Sequence, residues 1–113
     1  MKRQELIDYC LTFSQVIEDY PFEDGKSTII RHINNRKWFA VIFQMNERLC
    51  INLKCEPMRA DLLRSVYKDV CPAWHMNKTH WNTVILDGDV PLDELYSLID
   101  ESFTLTLQQK NHK

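Results

Sequence analysis

The chain has 113 residues, 44% of them apolar and 27% charged, and this length and composition exclude both a second hydrophobic core and a disordered chain. No apolar run is long enough to span a membrane, and the charges near the start are unlike those of a signal peptide. The sequence therefore predicts a cytoplasmic protein without a membrane partner. The four cysteines form no C-x-x-C pair and are predicted to be free thiols.

Basic residues are concentrated in the middle of the chain. Residues 1–30 carry a net charge of −3 and residues 82–113 carry −4, whereas residues 31–81 carry +5. Such asymmetry in a small domain indicates one basic face, which is a suitable surface for an anionic partner. The alternative is chance clustering of charges on solvated strands.

The first half of the sequence has the pattern of one helix followed by three strands. Apolar residues recur at helical spacing between residues 3 and 15, and Asp24-Gly25 then marks a loop. Asn34-Asn35 and Asn46-Glu47 are typical of tight turns between β-branched and aromatic runs, which predicts an antiparallel meander. The three predicted strands are residues 27–33, 36–45 and 48–54.

The last of these strands, residues 48–54, alternates between two kinds of side chain. Ile51 and Leu53 occupy alternate positions, and Cys50 and Asn52 lie between them. Since successive side chains of a strand point to opposite faces, the first pair is predicted to face the core and the second to face outward.

The second half of the sequence predicts a helix, a strand and a final helix. Pro57 suits the first turn of a helix that runs to about residue 68. A polar and aromatic stretch leads into a fourth strand at residues 80–86, and Asp87-Gly88 makes a turn before a helix that begins at Pro91. The element order α-β-β-β-α-β-α predicts a single α+β domain over residues 1–113. Its sheet is expected to be mostly antiparallel, with the helices packed against it.

Chemically distinctive side chains are concentrated in residues 73–82. This stretch contains two histidines, a lysine, two tryptophans and two asparagines, which is more than a simple connection requires. Lys78 is suited to a phosphate contact, and tryptophan beside cationic and amide groups can stack on a base. Alternatively, Trp81 fills the core beneath the last helix, and Asn77 and Asn82 hold an irregular turn through side-chain-to-backbone hydrogen bonds.

The same stretch resembles the signature of a known family. Residues 75–88 read HMNKTHWNTVILDG, and with Val90-Pro91 they are similar to the signature of the MmcQ/YjbR family of small bacterial proteins. The resemblance covers nearly the whole chain and implies a YjbR-like α+β fold, similar to frataxin and to secretion chaperones. It also implies DNA binding, because family members carry that label on account of a double-wing arrangement of the sheet. Trp74 stands where members often have arginine or another polar residue, which favours stacking over a phosphate contact there.

We therefore predict weak, largely non-specific binding of DNA through phosphate contacts on a basic face of sheet and loop. This prediction requires the Asn34-Asn35 turn and the signature loop to lie on one side of the molecule. No metal or cofactor is predicted. The predicted nucleic-acid contacts are Arg31, Arg36, Lys37, His75, Asn77, Lys78 and His80, with Trp74 and Trp81 as stacking residues.

Three other classes of function remain as alternatives. A chaperone-like module that binds a protein partner would use an exposed patch of Trp38, Trp74 and Met76. Cys71 and the two histidines of the signature could ligate a metal, but their spacing matches no standard zinc module. An enzyme with Cys71 as nucleophile lacks an identifiable orienting group, so the chain is predicted not to be an enzyme.

Overall fold

A computed structural model of the chain describes residues 1–73 and 76–107. These residues form three helices and six strands, and none of the helices among them is long and apolar enough to cross a membrane. The helices are α1 (Arg3–Cys10), α2 (Pro57–Val66) and α3 (Leu92–Leu107). The strands are β1 (Val16–Asp19), β2 (Thr28–His32), β3 (Trp38–Met45), β4 (Arg48–Lys54), β5 (Val70–Pro72) and β6 (Trp81–Ile85).

The six strands form one sheet in the order β1-β2-β3-β4-β6-β5, and every neighbouring pair is antiparallel. Strands β1 to β4 follow one another through short connections. The chain then leaves the sheet as α2, returns at the far edge as β5, and turns back so that β6 fills the place beside β4. The predicted α+β class with an antiparallel sheet is confirmed.

One face of the sheet, which we call the helix face, carries the main core. Ile42, Ile51 and Val84 are neighbours in the strand register, and their side chains point to this face. Leu6 of α1 and Ile99 of α3 are fully buried in the same cluster. Each such side chain contributes about 1.5–3 kcal/mol when it is buried, which makes this layer the main source of stability.

Two short strands were absent from the predicted order. The first helix ends at Cys10 instead of residue 15, and Gln15, with a left-handed backbone (φ 60°), precedes the start of β1 at Val16. Strand β5 has three residues, comes after α2 in the chain and pairs with β6. Both are edge strands that exist through pairing with distant residues, and strands this short have too few positions to show a period.

The opposite face, which we call the groove face, differs from the prediction. Asn52 points away from the helices as expected, but its side chain is buried. Two loops flank Asn52: Phe22 packs against Trp38 on one side, and Met76 accepts a hydrogen bond from Asn52 on the other.

The alternation along β6 also decides the orientation of Trp81. Asn82 points to the helix face, because its side chain bonds to Ala60 of α2. Trp81 therefore lies on the groove face, and the alternative that it fills the core beneath the last helix is wrong.

Candidate nucleic-acid interface

The strand register brings the cationic parts of the sequence to one end of the sheet. Arg31 pairs with Trp38 across the β2–β3 turn, and Lys54 at the end of β4 pairs with Trp81 at the start of β6. Because these strands are antiparallel neighbours, the β2–β3 turn and the residues that precede β6 occupy the same end. We call this end, with Arg36, Lys37, Lys78 and His80, the basic end.

Arg36 and Lys37 are held in a tight turn that is anchored to α3. The Lys37 amide donates to the Asn35 side-chain oxygen at 2.8 Å, and Arg36 has a left-handed backbone (φ 64°). The Asn35 side-chain amide in turn donates to the carbonyl of Thr106 in the last turn of α3 at 2.9 Å. The turn is thus fixed on the fold, while both cationic side chains remain exposed.

Arg64 of α2 holds the loop that presents Lys78. Its guanidinium donates to the Asn82 side-chain oxygen at 2.6 Å and to the carbonyls of Trp81 and Lys78. The amide of Thr79 donates to the Asn77 side-chain oxygen at 2.9 Å, which closes a turn within the loop. The Lys78 side chain is exposed, and His80 is half-buried beside it in sequence.

Arg64 was missed in the sequence analysis, and the sequence contains no local signal for its role. Its acceptors lie 14 to 18 positions further along the chain. A contact between a helix and a loop that lies so far along the chain produces no periodic pattern or motif in the sequence. Arg64 is a positioning residue, and its guanidinium is occupied by protein atoms.

The predicted contact residues separate into two groups. Arg36, Lys37 and Lys78 are exposed and take part in none of the ion pairs formed within the described part of the chain. Arg31, by contrast, donates to the Asp19 carboxylate at 3.0 Å and is only 24% exposed. Asn77 serves the turn described above, which supports the alternative reading of this residue.

Two of the predicted site residues, Trp74 and His75, lie outside the described residues. Trp81 is half-buried on the groove face, next to Lys54 in the register. Of the three residues in the predicted protein-contact patch, Trp38 and Met76 are half-buried. Neither is fully enclosed, so both can contribute to a surface.

A groove lies on the groove face between the two covering loops. It has a volume of about 320 Å³. The Phe22 ring meets Trp38 edge-on, with centroids 5.8 Å apart and an interplanar angle of 81°. The floor comes from β3 and β4, and the two walls come from the loop before β2 and from Met76. Lining residues include Phe22, Asp24, Trp38, Phe43, Asn52 and Met76.

Cys71 and His80 are the described members of the predicted alternatives, a metal site and an enzyme, whereas His75 lies outside the described residues. Within residues 1–73 and 76–107, no three His, Cys, Asp or Glu side chains are grouped so as to hold a metal ion. Burial raises the pKa of the Cys71 thiol, which keeps the thiol protonated and lowers its nucleophilicity.

Fold and site together define a small α+β protein with a six-stranded antiparallel sheet, a basic end and a grooved face. The YjbR family model matches residues 11–105, and the chain belongs to the YjbR family. The resemblance of residues 75–88 to that family is therefore confirmed. The uncharacterized protein YjbR of Escherichia coli (strain K12) is 37% identical, over 91% of this chain and 85% of that protein. The uncharacterized protein YyaQ of Bacillus subtilis (strain 168) is 36% identical, over 78% and 83% of the two chains.

Solved structures show the same fold. A crystal structure of a protein from Pseudomonas syringae has a TM-score of 0.83 at 35% identity, covering 94% of this chain and 99% of that one. The Deinococcus radiodurans protein DR2400, with the family-model domain DUF419, has a TM-score of 0.86 at 28% identity, covering 97% and 81%. These comparisons support the YjbR-like α+β fold.

Proposed function

We propose that this protein acts by binding nucleic acid, weakly and largely without sequence preference, through phosphate contacts at the basic end. One observation carries the proposal. Arg36, Lys37 and Lys78 come from two separate segments, lie at the same end of the sheet, and are exposed without a carboxylate partner in the described structure. Phosphate contacts carry no sequence information, so binding at such a site depends on charge and not on base order.

Three exposed acidic residues lie at the end of the sheet opposite the basic end. Glu47 of the β3–β4 turn and Asp87 and Asp89 after β6 lie at the other end of the sheet, because β3 and β6 both end there. A molecule with a net charge of −2 can therefore still attract a polyanion to one end. At that opposite end the acids have cationic neighbours: Asp87 pairs with the N-terminal amino group at 2.8 Å, and Arg48 and Lys68 both pair with Asp69.

A salt titration tests the proposal. Fluorescence anisotropy of a labelled strand of about 12 nucleotides and of its duplex is measured at increasing salt. Three phosphate contacts predict a slope of about −2 to −3 in a plot of log affinity against log salt concentration. Lack of binding to both probes at low salt would remove the proposal.

Two lysines provide a matched pair of variants for that titration. Lys78→Ala removes a cation at the basic end and is expected to weaken binding several-fold and to reduce the salt slope by about 1. Lys68→Ala removes a lysine that is 80% exposed at the opposite end of the sheet, and binding should be unchanged. Equal losses in both variants would mean that the charge acts through the whole molecule and not through the basic end.

A protein-interaction module is the second candidate, and it is favoured by the outer side of α2. Met58, Leu62 and Val66 recur every fourth residue there and are 87%, 57% and 58% exposed. An apolar stripe on one side of a helix is a common contact surface between proteins. This candidate predicts no nucleic-acid binding at low salt, so the titration above separates the two.

A further inference from the structure

The groove adjoins the basic end at Trp38. Trp38 follows Arg36 and Lys37 directly in the sequence, pairs with Arg31 in the register, and lines the groove. The edge-on contact between Phe22 and Trp38 leaves Phe22 42% exposed and Trp38 half-buried. An aromatic surface therefore begins where the exposed cations end.

We propose that this groove binds an unpaired base, and that the nucleic acid this protein prefers is single-stranded. The inference rests on the proposed phosphate binding, because the cations of the basic end hold the strand whose base enters the groove. Aromatic side chains beside a basic track are the usual means of binding single strands, since every base has a face that stacks. A paired base must first leave its duplex, which costs free energy and disfavours duplex DNA.

A polar group inside the groove supports a base over a purely apolar ligand. Asn52 is only 3% exposed, and its side-chain oxygen accepts a hydrogen bond from Thr83. Its side-chain amide donates to the Met76 sulfur at 3.5 Å, and a thioether is a weak acceptor. A ring carbonyl of a base would be a stronger acceptor for the same amide.

Asp24 adds a second contact of opposite character. Hydrogen bonds from the backbone amides of Lys26 and Ser27 lower the pKa of its carboxyl group, so Asp24 is ionised at neutral pH. A carboxylate repels phosphate but accepts hydrogen bonds from the amino groups of bases. The backbone of the strand is therefore expected at the basic end and the base in the groove.

The test uses three labelled probes in fluorescence anisotropy at low salt. They are a single strand of about 12 nucleotides, the same strand with abasic sites throughout, and its duplex. The intact strand should bind at least about 5-fold more tightly than the abasic strand, which corresponds to one stacked base. It should also bind more tightly than the duplex.

Variants assign the difference to the groove. Phe22→Ala and Trp38→Leu should abolish the advantage of the intact strand over the abasic strand and leave the affinity for the abasic strand unchanged. Trp38→Phe retains an aromatic ring and should retain most of the advantage. Met58→Ala, on the exposed side of α2, is the control and should change neither affinity. Circular dichroism checks that each variant is folded.

The possible failures are distinct. If none of the probes binds, the proposed function fails and the inference fails with it. If the abasic strand binds as well as the intact strand, phosphate binding stands and the groove inference is overturned. The inference is also overturned if the duplex binds more tightly than the strand.

Discussion

The two faces of the sheet are built from the same strands but are covered in different ways. On the helix face, long side chains interlock beneath α1 and α3, and polar groups such as Ser102 bond to the backbone of the sheet. On the groove face, the cover consists of two loops, and Phe22, Trp38 and Met76 remain partly accessible. The helix face therefore holds the fold together, and the groove face can exchange contacts with a ligand at little cost in stability.

The largest expected effect comes from the helix face. Phe39 is fully buried and contacts the rings of Phe13, Phe103 and His32. Phe39→Ala should lower the free energy of unfolding by about 3–5 kcal/mol, measured by urea denaturation, because it leaves a cavity among packed rings. Phe22→Ala on the groove face removes the same atoms at a cost of less than about 1 kcal/mol. Similar losses in the two variants would remove the distinction between the faces.

The second prediction concerns the link between α2 and the signature loop. Arg64→Ala removes the donor of the Asn82 side-chain oxygen and of the Lys78 carbonyl, whereas the Trp81 carbonyl keeps the Ala73 amide, so we expect a loss of about 1.5–3 kcal/mol in urea denaturation. Nucleic-acid affinity should fall too, since Lys78 is no longer held. Arg59 on the same helix is the matched control.

Arg59 forms more exposed ion pairs with Glu94 and Glu101 of α3. Arg59→Ala should cost about 1 kcal/mol or less and leave nucleic-acid binding unchanged. If both variants lost the same stability and kept full affinity, Arg64 would be one more surface charge and would have no positioning role.

The third prediction is a pH dependence that originates on the helix face. His32 is buried between Phe39 and Phe103, its Nε2 contacts the Thr106 hydroxyl, and its Nδ1 has no partner among the described residues. Burial, and to a smaller extent the charge of Lys37, lowers the pKa of His32. The neutral ring is thus favoured in the folded state, and the unfolded state binds the proton more readily.

Stability should therefore be complete above pH 7 and decrease as the pH falls below about 6.5, the ordinary histidine value. One proton allows a slope no steeper than about 1.4 kcal/mol per pH unit. Urea denaturation at about pH 7.5 and 5.5 measures the slope, and His32→Gln should reduce it. A slope that is unchanged in His32→Gln would show that the pH dependence does not come from His32.

These contrasts also explain which features the sequence could predict. The bounds of β4 and the start of α2 at Pro57 agree with the prediction. The alternation of side chains along β4 identifies that strand, and the proline identifies the first turn of α2. Strand β1 escaped prediction because four residues are too few for a pattern, and its pairing with β2 crosses a loop.

The candidate site divides in the same way. Lys78 lies in a polar loop, so the local sequence was sufficient to predict that its side chain is exposed. The pairing of Arg31 with Asp19 depends on which residues become neighbours across β1 and β2, and the groove depends on Phe22 meeting Trp38. Such features arise only when segments distant in the sequence are brought together.

The smallest expected effect on stability lies at that ion pair on the edge of the groove face. Asp19→Asn should cost less than about 1 kcal/mol in urea denaturation, because the pair is partly solvated. It releases the Arg31 guanidinium next to Trp38, so nucleic-acid affinity at low salt should rise and the salt slope should steepen by about 1.

Asp61→Asn is the control for this gain. Asp61 is 80% exposed and pairs with Arg64, which stays bonded to the signature loop when the carboxylate is removed. Both variants remove one negative charge, so a gain in both would reflect net charge alone. A gain confined to Asp19→Asn would place Arg31 beside the bound strand and extend the phosphate path from the basic end along the rim of the groove. An Asp19→Asn protein with the wild-type slope would restrict that path to Arg36, Lys37 and Lys78.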